Sequence, residues 1–144
     1  MIRMLATILL VCHAPSAVIA DARYDQENTT AWMLNCQGCH RSYGGATGNE
    51  VPALRGTVAK FLAVPGGREY LIRVPGVSMS PLDNESVAAL TNWMLYEFDP
   101  DNVPDDFERY SADEVGKLRL RPYDSEAATI RADLIEKIDS QDRL

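Results

Sequence analysis

Two cysteines and a histidine stand within five residues, in the string Cys36-Gln37-Gly38-Cys39-His40. Thiolates are nucleophiles, and a neutral imidazole is a metal ligand. The two intervening residues let both thiols reach the two vinyl groups on one edge of a porphyrin. A histidine directly after the second cysteine then falls beneath the iron, where its Nε2 can bind. Covalent haem attachment is therefore the chemistry that this spacing predicts. A structural disulfide is the main alternative in an exported chain, but it gives His40 no task. A structural zinc site needs four ligands, and these three groups are packed too tightly to act as two separated pairs. A thioredoxin-like dithiol belongs beside a βαβ pattern, and the sequence contains no convincing strand.

The rest of the cysteine and histidine inventory sharpens this. Cys12 and His13 are the remaining cysteine and histidine, and both lie in the first twenty residues. That stretch reads as a secretory signal. Arg3 supplies the positive start, residues 5–12 the apolar run, and Val18-Ile19-Ala20 the small-residue cleavage site. The run is too short for a membrane span, which needs roughly 20 apolar residues. Cleavage after Ala20 leaves a mature chain destined for the periplasm. Cys36, Cys39 and His40 are then its only cysteines and histidine.

What elements must position these groups? A short helix is expected over residues 28–35, capped by Asn28 or Thr29 and running into Cys36. Gly44, Gly45 and Gly48 make residues 41–56 a loop. Short helical pieces follow over 57–62 and 68–73, separated by Pro65-Gly66-Gly67, and Pro75-Gly76 breaks the second. Residues 77–81 read as irregular. The strongest helix is expected over 84–98, with Asp83 as its N-cap and Val87, Leu90, Met94 and Leu95 at helical spacing. An acidic, proline-containing linker covers residues 99–110. A short helix opens at Ser111, and a longer one spans 125–140 with Ile130, Leu134, Ile135 and Ile138 on one face. That apolar stripe must be buried, against the domain or against a partner.

Charge excludes some functions. The chain of 144 residues has a net charge of −7, and −8 once Arg3 leaves with the signal. There is no basic stripe, so nucleic acid is not an expected partner. An acidic surface favours partners that carry a basic docking patch. With His40 committed to iron, no nucleophile–base pair remains for hydrolytic catalysis, and the chain is not read as an enzyme.

Beyond the five-residue string, the sequence resembles the class I c-type cytochromes over residues 25–98. In that family a helix precedes the haem motif. A proline follows the histidine by about a dozen positions, then a leucine and a glycine at alternate places. Pro52, Leu54 and Gly56 stand there. A last helix with an aromatic followed by an aliphatic residue is matched by Trp93-Met94. The resemblance implies an all-α fold of three to five short helices around one covalently bound haem c. It implies that the Pro52 carbonyl accepts a hydrogen bond from His40 Nδ1 and fixes the ring. It also places the distal methionine just before the last helix, where Met79 lies. Met33 is too near the motif to reach the iron, and Met94 belongs to an apolar helical stripe. The family pattern has methionine followed by proline, whereas Ser80 separates Met79 from Pro81 here. Lys60 or water is the alternative sixth ligand. Arg55, Lys60 and Arg68 are candidate partners for haem propionates.

The domain plan expected is a signal peptide over 1–20, a cytochrome domain over 21–98, and an acidic linker with a helical C-terminal extension over 99–144. The function expected is single-electron transfer from a dehydrogenase to an oxidase or another cytochrome. The alternatives are a dedicated subunit of a dehydrogenase complex, or a sensor or peroxidase with an open iron site. No membrane span is expected in the mature chain.

Overall fold

The computed structural model of the chain describes residues 16–48, 50–141 and 143. Most of the expected signal segment, including Cys12 and His13, lies outside the described residues. Among the described residues there are seven α-helices and two 3-10 turns, and the one β feature is an isolated bridge between Thr47 and Val51. No helix among them is long and apolar enough to cross a membrane.

Helix α1 (Ser16–Asn35) is longer than the sequence reading of 28–35. No Gly or Pro interrupts residues 16–37, so nothing in the chain stops the helix from extending backwards. Asn28 is accordingly not a cap. It is 4% exposed inside the helix and donates from Nδ2 to the Tyr24 carbonyl one turn back, at 2.8 Å. The expected cleavage point after Ala20 falls within the early turns of this helix. Helix α2 (Gln37–His40) is a single turn. Helix α3 (Gly67–Arg73) follows a 3-10 turn at Ala59–Ala63. Gly67 is required between them, because a β-carbon there would collide with the Phe61 carbonyl.

Helix α4 (Pro75–Ser78) occupies part of the segment read as irregular. Pro75 is its first residue, where a missing N–H costs nothing and the fixed φ suits a helix. The proline thus starts a turn as well as ending α3. Helix α5 (Asn84–Phe98) has the bounds and the cap that the pattern predicts, with Asp83 Oδ1 accepting from the Ser86 N–H at 2.7 Å. It crosses α1 through Trp32, whose ring lies 4.6 Å from Phe98 and 6.4 Å from Trp93. Tyr24 Oη also donates to the Ala89 carbonyl, at 2.8 Å.

Residues 99–110 run along the domain surface instead of hanging free. Asp99 is buried and accepts from the Ala59 N–H at 2.8 Å. Buried Asn92 of α5 makes a reciprocal pair with the Tyr110 backbone, accepting its N–H at 2.8 Å and donating to its carbonyl at 3.0 Å. Helix α6 (Ala112–Arg119) and helix α7 (Ala127–Gln141) then pack back on the domain. Val115, Leu134 and Ile138 are buried in the same hydrophobic core as Trp32, Phe61 and Leu95. The apolar stripe of α7 therefore finds its cover within the chain.

Candidate functional site

Why do the three chemical groups of the motif converge? Helix α1 runs into it, and the Cys36 N–H bonds the Trp32 carbonyl at 2.9 Å. The Cys39 and His40 N–H groups then both bond the Cys36 carbonyl, at 3.1 and 3.0 Å. Positions 36, 39 and 40 are i, i+3 and i+4 of one helical turn, and such residues share a face. Both sulfurs and the imidazole therefore emerge on one side. Arg41 leaves the turn at φ 59°, an uncommon backbone for a residue with a side chain. Its Nε donates to the Ala46 carbonyl at 2.8 Å, and Thr47 Oγ1 donates to the Cys39 carbonyl at 2.6 Å, so the loop folds straight back on the motif.

That loop delivers Pro52. The Gly44 carbonyl accepts from the Leu54 and Arg55 N–H groups at 2.8 and 3.2 Å, and the Gly56 N–H donates to the Phe98 carbonyl at 2.9 Å. Gly44 itself lies flat on the Phe98 ring at φ 71°, with no room for a β-carbon. Held between these bonds, the Pro52 carbonyl meets His40 Nδ1 at 3.1 Å. A carbonyl can only accept, so Nδ1 carries the proton. Nε2 is left with its lone pair outward, which is the tautomer a metal requires.

The electrostatics favour a neutral imidazole and a protonated thiol. Burial lowers the His40 pKa and outweighs the opposing pull of the Pro52 bond, so the neutral, ligating imidazole is favoured. Burial, reinforced by Cys39, pushes the Cys36 thiol up to about 11. Cys36 and Cys39 are free thiols, not a disulfide.

Met79 is the C-cap of α4, and its side chain is 64% exposed. It stands in the segment before α5, apart from the motif in sequence and on a different element. Of the candidate propionate partners, Arg68 is engaged elsewhere. It holds Glu114 through Nε and Nη2 at 2.6 and 2.7 Å, gives Nη1 to the Glu108 carbonyl, and stacks 4.1 Å from the Tyr110 ring centroid. That commitment to the C-terminal segment was not readable from the sequence, where Arg68 is one cation among several. Arg55 is exposed and reaches the Tyr43 carbonyl at 3.4 Å. Lys60 is half-buried on the 3-10 turn.

Do these residues fit a bound haem? Two buried polar atoms among the described residues lack a partner: Trp32 Nε1 and Ser80 Oγ. The first belongs to a ring 6.1 Å from His40, and the second adjoins Met79. Such orphans each cost about 1–3 kcal/mol, and both sit beside the groups that the sequence singles out. Half-buried apolar side chains, among them Leu54, Leu62, Val77 and Leu82, border the same core. Met33, Leu34 and Tyr43 near the motif are exposed, as Met79 is. Free thiols, an outward Nε2 and an apolar surround are the donor set and the environment that a covalently held haem needs.

The chain is similar to two cytochromes c-552 from Thermus thermophilus, one of them from a named strain of that species. Each is 34% identical over 104 residues, covering 60% of this chain and 79% or 70% of the relative. No protein-family model matches the chain.

Proposed function

The chain belongs to the class I c-type cytochromes, which carry covalently bound haem c, and on that footing we propose that it is a periplasmic single-haem carrier of electrons between a dehydrogenase and an oxidase or another cytochrome. The bound haem supplies the one-electron couple between ferrous and ferric iron. Every other part of the task falls to the chain.

Cys36 and Cys39 anchor the porphyrin edge through thioether bonds. His40 gives its Nε2 to the iron, and Pro52 fixes the ring through Nδ1. Met79 would give its thioether sulfur as a second protein ligand. A thioether is soft and favours ferrous iron, so His/Met ligation raises the reduction potential. The observation that carries this reading is the His40–Pro52 bond on a helical turn that turns both thiols the same way. Export through residues 1–20 is part of the proposal, supported by the positive start, apolar run and small-residue cleavage site of that segment. The acidic surface suits redox partners with a basic docking patch.

The test is spectroscopic. Ferric holoprotein is expected to show the weak far-red band of iron–methionine bonding and a positive midpoint potential. Met79→Ala is expected to abolish the band and lower the midpoint. A wild-type spectrum without the band, or a strongly negative midpoint, refutes Met79 as ligand.

A further inference from the structure

Helix α6 reaches across the molecule to the Met79 segment with a single side chain. Arg119 donates from Nε to the Ser78 carbonyl at 3.0 Å, from Nη2 to the Ser80 carbonyl at 2.6 Å, and from Nη1 to the Leu82 carbonyl at 2.8 Å. Nη1 also donates to Asn84 Oδ1 at 3.0 Å. The three carbonyls alternate along the chain, and the first two flank Met79 on either side. The backbone N–H groups of Ser78, Met79 and Ser80 point the other way, into the α4 turn, bonding Val74, Pro75 and Val77 carbonyls at 2.9, 3.0 and 3.2 Å. These backbone groups around Met79 are therefore fixed from two sides. Local turn geometry holds one side. A residue about 40 positions away holds the other.

The sequence explains why α6 can deliver this. Ser111 caps it, accepting from the Glu114 N–H at 3.2 Å. Val115 is buried, and Leu118 and Arg119 follow at i+3 and i+4 on the same face. Gly116 faces the start of α5, where a β-carbon would come within 2.8 Å of the tip of the Asn84 side chain. Only a guanidinium offers donors in a planar fork wide enough for three carbonyls at once. A lysine ammonium carries three donors, but all on one compact nitrogen that cannot span three carbonyls spread along the chain.

We propose that Arg119 is a positioning residue for the distal iron ligand: its fork locks the carbonyls around Met79 and so keeps the thioether sulfur on the iron. This rests on the reading of Met79 as that ligand. Without the fork, the carbonyls of the segment lose their long-range partner, leaving α4, the Asp83 cap and the packing of Val77 and Leu82 to hold it, and states with methionine off the iron become populated.

The measurement is the affinity of ferric holoprotein for imidazole, a probe that binds iron only when Met79 has left. Apparent affinity rises in proportion to the population of the open state. Arg119→Ala is expected to bind imidazole about tenfold more tightly than wild type or better, the fold-change expected from losing one or two net hydrogen bonds. Its far-red band should weaken in step. Arg119→Lys, which keeps the charge and most of the packing, is expected to fall between. It also serves if the alanine variant does not fold. Glu114→Ala breaks the pair with Arg68 on the far side of the same helix, leaves the Ser111 cap and the buried Val115 that seat it, and touches no carbonyl near Met79. It is expected to leave imidazole affinity unchanged. Wild-type affinity in both Arg119 variants overturns the proposal, as does an equal rise in Glu114→Ala. A wild type without the far-red band overturns the Met79 reading first and the positioning role with it, which separates the two failures.

Discussion

The segments that carry His40 and Met79 are built in different ways. On the His40 side the groups that matter lie close in sequence. One helical turn presents Cys36, Cys39 and His40, and a folded loop returns Pro52 twelve residues later. The supporting bonds from Gly44, Thr47 and Cys39 are equally local, and Phe98 closes the loop from α5. On the Met79 side the local structure is one short turn. Its rigidity comes from α6, a segment beyond the last helix of the cytochrome pattern. The difference teaches that a ligand held by local structure yields only when the whole domain does. A ligand held by a distant clamp can let go by itself.

The strongest way to break the proximal side is to remove its central ring. Trp32 is 2% exposed and lies against His40, Trp93 and Phe98. Trp32→Ala is expected to cost about 3–5 kcal/mol of stability, the range for a large buried aromatic, measured by denaturant unfolding of the holoprotein. If the proximal side is one cooperative unit with the domain, the Soret signature of the His40-bound haem and the far-UV signal should be lost together, whether or not the far-red band goes earlier. Loss of the Soret signature well before the helices would contradict the contrast drawn between the two sides.

The next largest effect falls on the attachment of the C-terminal segment. Asn92 satisfies both backbone groups of Tyr110 from inside the core. Asn92→Ala strands a buried N–H and a buried carbonyl and is expected to cost about 2–3 kcal/mol. Because Tyr110 leads directly into α6, hydrogen exchange should quicken first across residues 110–126 and then around Met79, with the His40–Pro52 loop slower to respond. Equal quickening on both sides would show that the segment supports the whole domain and not chiefly the distal side.

This contrast also explains which features were readable in advance. The motif and the bounds of α5 depend on spacing within short stretches, and short-range spacing is what a sequence displays; the Pro52 bond was implied by the family resemblance. Asp83 announces its helix because a carboxylate before an apolar periodic run has one good use there. Asn28 misled for a related reason: a capping residue type was visible, but whether the chain would stop before it depended on the absence of any breaker upstream. The commitments of Arg68 and Arg119 were invisible. Each joins residues 35–46 positions apart, and no local pattern distinguishes a half-buried guanidinium fork from a surface cation. The path of residues 99–110 was hidden in the same way. Acidic residues and prolines do suggest a loose strand, and only the placement of Asn92 and Ala59 shows where Tyr110 and Asp99 are tied.

The smallest expected effect concerns acid. Asp83 caps α5 immediately after the Met79 segment, and its carboxyl pKa is held below the ordinary value of 3.8. The Ser86 N–H is the main cause, and the positive charge of Arg119 adds to it. A depressed pKa means that the folded chain binds this proton less readily than the unfolded chain. The stabilisation is thus fully present above the ordinary value and is lost as pH falls through the lower, folded one. Asp83→Asn keeps an oxygen for the Ser86 N–H but has nothing to titrate. Its melting temperature near neutral pH is expected to match wild type closely, because the group is fully exposed and the charge is screened. Below about pH 3.8 the variant should lose stability less steeply. In an Arg119→Ala background the Asp83 carboxyl should titrate nearer its ordinary value, so introducing Asp83→Asn there should change the acid profile less than it does in wild type. A change of the same size in both backgrounds would mean that Arg119 is not electrostatically coupled to the start of α5, and its hold on the distal side would then rest on the three carbonyls alone.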